Sequence, residues 1–148
     1  MKVREAKPDD IPFIVDFQMA MAQETEGTEL HRPTVELGVK AVVNDSTKGK
    51  YYITEVKSKI ISSLLTTYEW SDWRNGTVLW IQSVYVLPEF RRKGVYRSMY
   101  SHIKNRVMED ENLKGIRLYA DKSNIPAHKT YKNLGMSPDH YITFEWLK

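Results

Sequence analysis

The sequence predicts one α+β (mixed α/β) domain over residues 1–148, built in the order β-α-α-β-β-β-α-β-α-β. Three observations lead to this fold class. The length is typical of a single domain with a sizeable core. Two helix-like segments precede a run of three strand-like segments joined by short polar turns. After that run, helix-like and strand-like segments alternate to the end of the chain.

The N-terminal part begins with a strand and continues with two helices. Residues 2–6 have the pattern of a strand, and Asp9 and Asp10 then supply an N-cap for a helix that starts near Ile11. Apolar residues recur on one face of that helix. The polar residues 23–30 interrupt the pattern, and a second helix is predicted from about Thr34 with its valines facing inward.

Two hairpins form the middle of the predicted sheet. Residues 51–56 and 60–70 are rich in β-branched and aromatic side chains and are separated by a short polar turn. Asn75-Gly76 predicts a type I′ turn before the next strand. That strand, residues 77–87, carries apolar side chains on both alternating faces. We therefore expect it in the middle of the sheet.

The last part of the chain alternates helices and strands. Apolar residues from Val95 to Val107 repeat every four residues and predict a helix. Residues 115–120 predict a short strand. Ser123 or Asn124 then caps a helix that ends at Gly135. Residues 141–147 predict a final strand.

Composition excludes several classes of function. The chain has no cysteine, so disulfides, thiolate metal sites and a cysteine nucleophile are excluded. Its four histidines have no metal-ligand spacing, and no metal site is expected. The longest apolar runs are far shorter than a membrane helix, and no secretory signal is visible, so we expect a cytoplasmic protein without a membrane partner. The net charge of +3 is spread along the chain and predicts no nucleic-acid partner.

The most informative segment is a basic turn between a strand and a helix. The predicted strand ends near Val86, and Arg91, Arg92, Lys93 and Gly94 precede the next helix. Backbone N–H groups at a helix N-terminus, the helix dipole and adjacent cations together favour a bound anion such as a pyrophosphate. Taken alone, the same residues are equally typical of a solvated loop that contains a turn glycine.

The order of elements and this turn resemble the GNAT superfamily of acetyltransferases. The family's phosphate loop reads Arg or Gln, two residues, Gly, one residue, then Gly or Ala. Arg91 and Gly94 match it, whereas the bulky Tyr96 stands where a small residue is usual. A second segment of the family, with Asn, Ala and Tyr before a Gly, is matched by Asn124, Ala127 and Tyr131.

The resemblance implies a GNAT acyltransferase fold, in which four helices flank a mostly antiparallel central sheet of about six to seven strands. It also implies acetyl-coenzyme A as the cofactor. The strand before the turn is expected to offer main-chain groups to the pantetheine arm. The implied cofactor-binding residues are Val84, Tyr85, Val86, Arg91, Arg92, Lys93, Gly94, Val95, Tyr96, Arg97, Asn124, Ala127 and Tyr131.

By the same resemblance Tyr131 lies near the sulfur, and we expect it to be the general acid. The departing thiolate belongs to a thiol with a pKa of about 8.5, and a phenol with a pKa of about 10 can stabilise or protonate it. A half-buried packing tyrosine is the alternative role for this residue.

The general base is less well defined. Many relatives carry a carboxylate on the fourth strand, but residues 79–83 contain none. Glu24 or Glu26, in an acidic linker between the first two helices, is the candidate for attracting a cation or relaying its proton; a solvated loop is the alternative. Glu69 and Asp72, beside Trp70 and Trp73, are a second candidate acceptor wall. For each of these tryptophans and Trp80, a place in the core or in a homodimer contact is the favoured alternative.

The sequence therefore predicts an N-acetyltransferase in which a primary amine of a small molecule or peptide attacks the thioester directly. The alternative is a non-catalytic sensor of the same fold that binds acetyl-coenzyme A. The missing acid on the fourth strand and the bulk of Tyr96 support this alternative. No Ser-His motif or Gly-Lys-Ser/Thr loop directs the chain to another reaction.

Overall fold

The computed structural model describes all residues from Met1 to Lys148. The residues form two compact units, Met1–Arg117 and Leu118–Lys148. The first unit contains a sheet and three long helices, and the second contains one helix. The single domain expected over residues 1–148 stays a prediction. None of the helices combines the length and apolarity that crossing a bilayer requires.

The order of the elements follows the predicted order up to the last helix. The strands are β1 Lys2–Glu5, β2 Lys50–Val56, β3 Lys59–Ser71, β4 Gly76–Val86 and β5 Leu113–Arg117. The helices of the first unit are α1 Ile11–Glu26, α2 Arg32–Asn44 and α3 Val95–Glu109, and the helix of the second unit is α4 Ile125–Asn133. Short 3₁₀ turns at Pro8–Asp10 and Pro88–Phe90 precede α1 and the basic turn.

The sheet runs in the order β1-β2-β3-β4-β5. The first three pairs are antiparallel, which confirms the predicted meander, and β5 joins β4 in parallel. A parallel neighbour requires a long crossover, and α3 supplies it. β4 thus lies between β3 and β5, as its two apolar faces predict.

The two hairpins use different turns. At the β2–β3 turn, Lys57 and Ser58 have φ angles of 49° and 64°, as a type I′ turn requires of its two central residues. The type I′ turn expected at Asn75-Gly76 is wrong, because Gly76 is the first residue of β4. A Cβ at Gly76 would lie 2.7 Å from the carbonyl oxygen of Asn112. This glycine therefore serves a close backbone approach and not a turn.

Helices cover both faces of the sheet. On one face α1 and α2 pack over β2, β3 and β4, with Ile14, Phe17 and Ile53 in the core. On the other face α3 packs against β1, β2 and β5, and the Ser62 hydroxyl of β3 donates to Met99 Sδ at 3.2 Å. Burying each large apolar side chain contributes about 1.5–3 kcal/mol. The packing of α3 on the sheet fixes the position of this helix and of the turn that precedes it.

The first helix continues further than predicted. Residues 23–26 belong to α1, so the acidic linker expected there is wrong. Gln, Glu and Thr are compatible with a helix, and only Gly27, with φ 61° and its N–H bonded to Gln23 O at 3.1 Å, ends it. Glu24 therefore lies on a helix that packs against the sheet.

The sheet is smaller than predicted, with five strands and not six to seven. β5 is Leu113–Arg117 and not residues 115–120, and residues 141–147 form no strand. Alternating apolar residues make a segment suitable for a strand, but a strand also needs a hydrogen-bonded neighbour, which the pattern does not supply. The four predicted helices are present.

Candidate functional site

The site begins where β4 bends. Ser83 has a φ of 50°, in the left-handed region that residues other than glycine rarely adopt. The register with β3 shifts at this point, because Ser63 pairs with Tyr85 whereas Leu65 pairs with Gln82. One extra residue of β4 thus forms a β-bulge, which bends the strand and disrupts the ladder locally.

Beyond the bulge, β4 has a strand partner on one side only. Tyr85 and Val86 pair with Ser63 and Ser62 of β3, but the pairing with β5 ends at Trp80. The main chain of residues 84–86 therefore has no strand neighbour on the β5 side, an open edge of the kind with which extended ligands pair. The side chain of Tyr85 still packs in the core, with its ring 5.3 Å from that of Phe17. In residues 84–86, the side chain of Tyr85 therefore packs in the core while the main chain keeps an open edge.

The basic turn adopts a left-handed conformation twice. Arg92 and Gly94 have φ angles of 60° and 78°. No atom lies within 4 Å of a Cβ built at Gly94, so conformation and not space explains the glycine. α3 starts at Val95, and its first hydrogen bond joins Ser98 N–H to Gly94 O at 3.0 Å. The N–H groups of Gly94 and Val95 therefore lie ahead of the helix ladder, at the positive end of the helix dipole.

Cations surround this helix start. Arg92, Lys93 and Arg97 are exposed, and Lys93 Nζ lies 5.6 Å from the centre of the Phe90 ring. The ring of Tyr96 is half-buried, and its centre lies 6.4 Å from that of Tyr100 one helical turn further along. The turn thus combines main-chain donors with positive side chains, as an anion site does.

Arg91 connects the turn to α1. Its Nη2 lies 2.7 Å from Glu24 Oε2, and its Nε donates to Val86 O at 2.9 Å. The Tyr85 hydroxyl donates to Glu24 Oε1 at 3.0 Å. Burial and the hydrogen bond to the Glu24 carboxylate both raise the pKa of Tyr85. We call Glu24, Tyr85, Val86 and Arg91 the Glu24 cluster.

The remaining predicted site residues lie in the second unit, on α4. The side chain of Asn124 caps this helix, because its Oδ1 accepts from Ala127 N–H at 3.2 Å. Ala127 and Tyr131 are one turn apart on α4 and are both half-buried. Burial raises the pKa of Tyr131. α4 ends at Asn133, and Gly135, with φ 86° and its N–H bonded to Lys132 O at 2.9 Å, forms the predicted stop just beyond it.

The second candidate acceptor wall consists of exposed aromatics. Trp70 and Trp73, near the β3–β4 turn, are 65% and 89% exposed and so do not belong to the core. Glu69 forms an ion pair with Arg117 of β5. Trp80 is half-buried. No three side chains of the types that bind metals lie close enough to hold an ion.

The structure brings the turn, the open edge of β4 and Glu24 together in one unit. Two features of this site were not predicted: the bulge at Ser83, and the ion pair of Glu24 with Arg91. The only sequence signal for the bulge is the polar pair Gln82-Ser83 inside an otherwise apolar strand. No signal pointed to the ion pair, whose members are 67 residues apart.

The family model and the similar solved structures indicate the same family. A model of the acetyltransferase (GNAT) family matches residues 14–136. A possible acetyltransferase from Clostridium difficile 630 is 46% identical over 99% of this chain and 97% of that chain, with a TM-score of 0.92. A predicted acetyltransferase from Clostridium acetobutylicum, solved with acetyl-CoA, is 21% identical over 97% and 95% of the two chains, with a TM-score of 0.74. No curated protein matches the chain.

Proposed function

Because the chain belongs to the GNAT family of acetyltransferases, we propose that it binds acetyl-coenzyme A and transfers the acetyl group to a primary amine. One observation carries this proposal: β4 loses its β5 partner after Trp80 and leads, past the short turn Pro88–Phe90, into the left-handed turn at Gly94. An open strand edge and a helix N-terminus thus follow one another along the chain. That sequence of features suits a ligand that has amide groups and a diphosphate.

The diphosphate is assigned to the turn and the first residues of α3. Main-chain N–H groups and the helix dipole attract the anion, and the exposed cations add to this attraction. A Cβ built at Gly94 would have no atom within 4 Å, so the glycine leaves room beside the main chain for an anion. The ring of Tyr96 lies near Tyr100, which supports an arrangement in which it leaves the turn accessible. The residues in this role are Arg91, Arg92, Lys93, Gly94, Val95, Tyr96 and Arg97.

The pantetheine arm is assigned to the main chain of Val84, Tyr85 and Val86. Amide groups of an extended ligand can pair with an open strand edge as a further strand does. The second unit is proposed to contribute Asn124 and Ala127. The small side chain of Ala127 leaves room for the ligand, and it shares a helix face with Tyr131.

Two residues are proposed to move protons. Acetyl-coenzyme A supplies a thioester, whose carbonyl carbon the amine attacks while the carbon–sulfur bond breaks. Tyr131 donates a proton to the departing sulfur and regains one from the nitrogen that has attacked the carbonyl, and a phenol with a pKa of about 10 is protonated at neutral pH. Glu24 receives the proton of the acceptor ammonium, directly or through water. An alkyl ammonium has a pKa of about 10.4, so a proton acceptor is required at pH 7.

The acceptor is proposed to be a small-molecule or peptide amine, with neither nucleic acid nor membrane as a partner. A homodimer is part of the proposal, and the exposed rings of Trp70 and Trp73 support it. The absence of a carboxylate from residues 79–83 of β4 favours the sensor as the second candidate function.

The test is to mix the protein with acetyl-coenzyme A and a panel of amines and to measure thiol release with a colorimetric reagent. Because the chain has no cysteine, the reagent detects only the thiol of coenzyme A. Release that depends on one class of amine supports the enzyme and identifies the acceptor class. Calorimetric binding without release on any amine supports the sensor. Absence of binding rejects both.

A further inference from the structure

The Glu24 cluster uses Arg91 for three contacts at once. Its guanidinium reaches Glu24 Oε2 at 2.7 Å and Val86 O at 2.9 Å, and lies 5.4 Å from the centre of the Tyr85 ring. The hydroxyl of Tyr85 holds the other oxygen of Glu24 at 3.0 Å. The side chain that begins the basic turn is therefore held toward α1 and the end of β4.

These contacts satisfy groups that the proposed function assigns to the ligand. Val86 O lies in the part of β4 without a β5 partner, and Arg91 Nε supplies its hydrogen bond. The guanidinium of Arg91 is the first cation of the turn, and the Glu24 carboxylate neutralises it. A diphosphate and a pantetheine amide would each compete with a contact that Arg91 already makes.

The ion pair is suited to such an exchange. The side chains of Arg91 and Glu24 are 43% and 42% exposed. Ion pairs with this exposure contribute little, because solvent screens them and the long side chains lose entropy when they are held. A diphosphate carries more negative charge than one carboxylate and is also attracted by the helix dipole, so it can displace Glu24 from Arg91.

We propose that Glu24 competes with the diphosphate of coenzyme A for the guanidinium of Arg91. This inference rests on the proposed function, because it requires the diphosphate to bind at the turn. When the diphosphate holds Arg91, the Glu24 carboxylate loses its cation.

The inference predicts that removing the negative charge of Glu24 strengthens the binding of coenzyme A. Glu24→Gln removes the competitor, and coenzyme A should bind about twofold to fivefold more tightly, the range that corresponds to an exposed ion pair. A purely structural role for Glu24 predicts weaker binding, because the end of β4 would lose a contact. Glu29→Gln is the matched control, since Glu29 is exposed on the segment that follows α1 and its change removes the same charge.

The experiment is a calorimetric titration of coenzyme A, and separately of inorganic pyrophosphate, into the full chain and both variants. Tighter binding of both ligands to Glu24→Gln than to Glu29→Gln supports the inference, and the difference should shrink at high salt. Equal or weaker binding overturns it. Tyr85→Phe retains the charges of Glu24 and Arg91 but removes the hydrogen bond to one oxygen of Glu24. It should tighten binding less than Glu24→Gln does. Binding to Tyr85→Phe that is weaker than binding to the unaltered chain also counts against the inference.

The binding measurements distinguish a failure of this inference from a failure of the proposed function. If the unaltered chain binds coenzyme A but Glu24→Gln brings no gain, only the competition is wrong. If neither the unaltered chain nor either variant binds coenzyme A or pyrophosphate, the turn is not a diphosphate site and both fail.

Discussion

Arg4 of β1 and Asp10 of the turn before α1 face each other through two hydrogen bonds, of 2.7 Å and 3.0 Å. Asp10 Oδ2 also accepts from Lys7 N–H at 2.7 Å, and Arg4 Nη2 reaches Glu55 of β2 at 2.6 Å. Asp10 is only 4% exposed. This pair therefore connects the first two strands to the start of α1, the helix that carries Glu24.

The Arg4–Asp10 pair should make stability depend on pH. Burial raises the pKa of Asp10, but hydrogen bonds from Arg4 and Lys7 outweigh it, so the pKa lies below its usual value. A depressed pKa contributes stability above the unfolded-state value of about 3.9, and this contribution is lost as pH falls through the folded-state value. Asp10→Asn should lower the free energy of unfolding by about 1–3 kcal/mol at pH 7.

Urea unfolding at several pH values measures this effect. The difference in unfolding free energy between the unaltered chain and Asp10→Asn should decrease below pH 4. Asp9→Asn, at an exposed neighbouring position, is the control and should change little. A difference that stays constant from pH 7 to the acid limit would contradict the assignment.

Gly76 should tolerate a methyl group less well than Gly115. A Cβ at Gly76 would lie 2.7 Å from a main-chain oxygen, whereas one at Gly115 would meet nothing within 4 Å. Gly76→Ala should therefore destabilise the chain by about 1–3 kcal/mol. Gly115→Ala should be neutral or stabilise it by up to about 1 kcal/mol, because alanine restricts the unfolded chain. The urea midpoints of the two variants decide this, and equal midpoints would refute the steric explanation.

A negative charge at Gly94 should weaken binding of the cofactor. Gly94→Asp brings a carboxylate to the proposed diphosphate position, and we expect coenzyme A affinity to fall by about tenfold to a hundredfold, or ~1.4–2.8 kcal/mol. Gly94→Asn is the matched control, because asparagine has the same shape and also tolerates a positive φ. Calorimetry should show a much smaller loss for Gly94→Asn. Unchanged affinity in folded Gly94→Asp would remove the diphosphate from this turn.

The hydroxyl of Tyr131 should matter for turnover and not for binding. Proton transfer by a positioned side chain typically contributes about 10²–10⁴-fold. Tyr131→Phe should reduce kcat by a factor in that range and leave the affinity for coenzyme A within about twofold. Tyr141→Phe, an exposed tyrosine in the same unit, serves as the control. If Tyr131→Phe transfers acetyl groups at the rate of the unaltered chain, the general acid lies elsewhere.

Local signals predicted the elements that depend on neighbouring residues. The polar turn after Val56 and Gly135 each act within one turn of chain, and the structure has an element boundary at each. A helix begins at Ile11 as predicted, but the expected side-chain cap is wrong, because the Asp10 carboxylate accepts from Lys7 N–H and pairs with Arg4 instead. The resemblance based on Arg91, Gly94, Asn124, Ala127 and Tyr131 is confirmed at the level of the family. The roles of the single residues stay predictions.

Errors arose where distant residues decide the structure. The type I′ turn at Asn75-Gly76 was wrong because Asn112, which approaches Gly76, comes from another part of the chain. Residues 141–147 have a strand-like composition, but composition does not provide a pairing partner. The linker at residues 23–26 was wrong because polar residues fit the end of a helix as readily as a loop.

The amino-acid sequence by itself determined the order of the helices and of the first four strands and the glycine of the basic turn, because these follow from periodicity and backbone freedom over a few residues. The family followed from the resemblance of the basic turn and of the segment from Asn124 to Tyr131 to the GNAT motifs. Only the tertiary structure decided the bulge at Ser83, the open edge of β4 and the ion pair of Glu24 with Arg91. These features depend on strand register and on side chains that meet across the fold. Such meetings are set by the packing of whole elements, which no short stretch of sequence specifies.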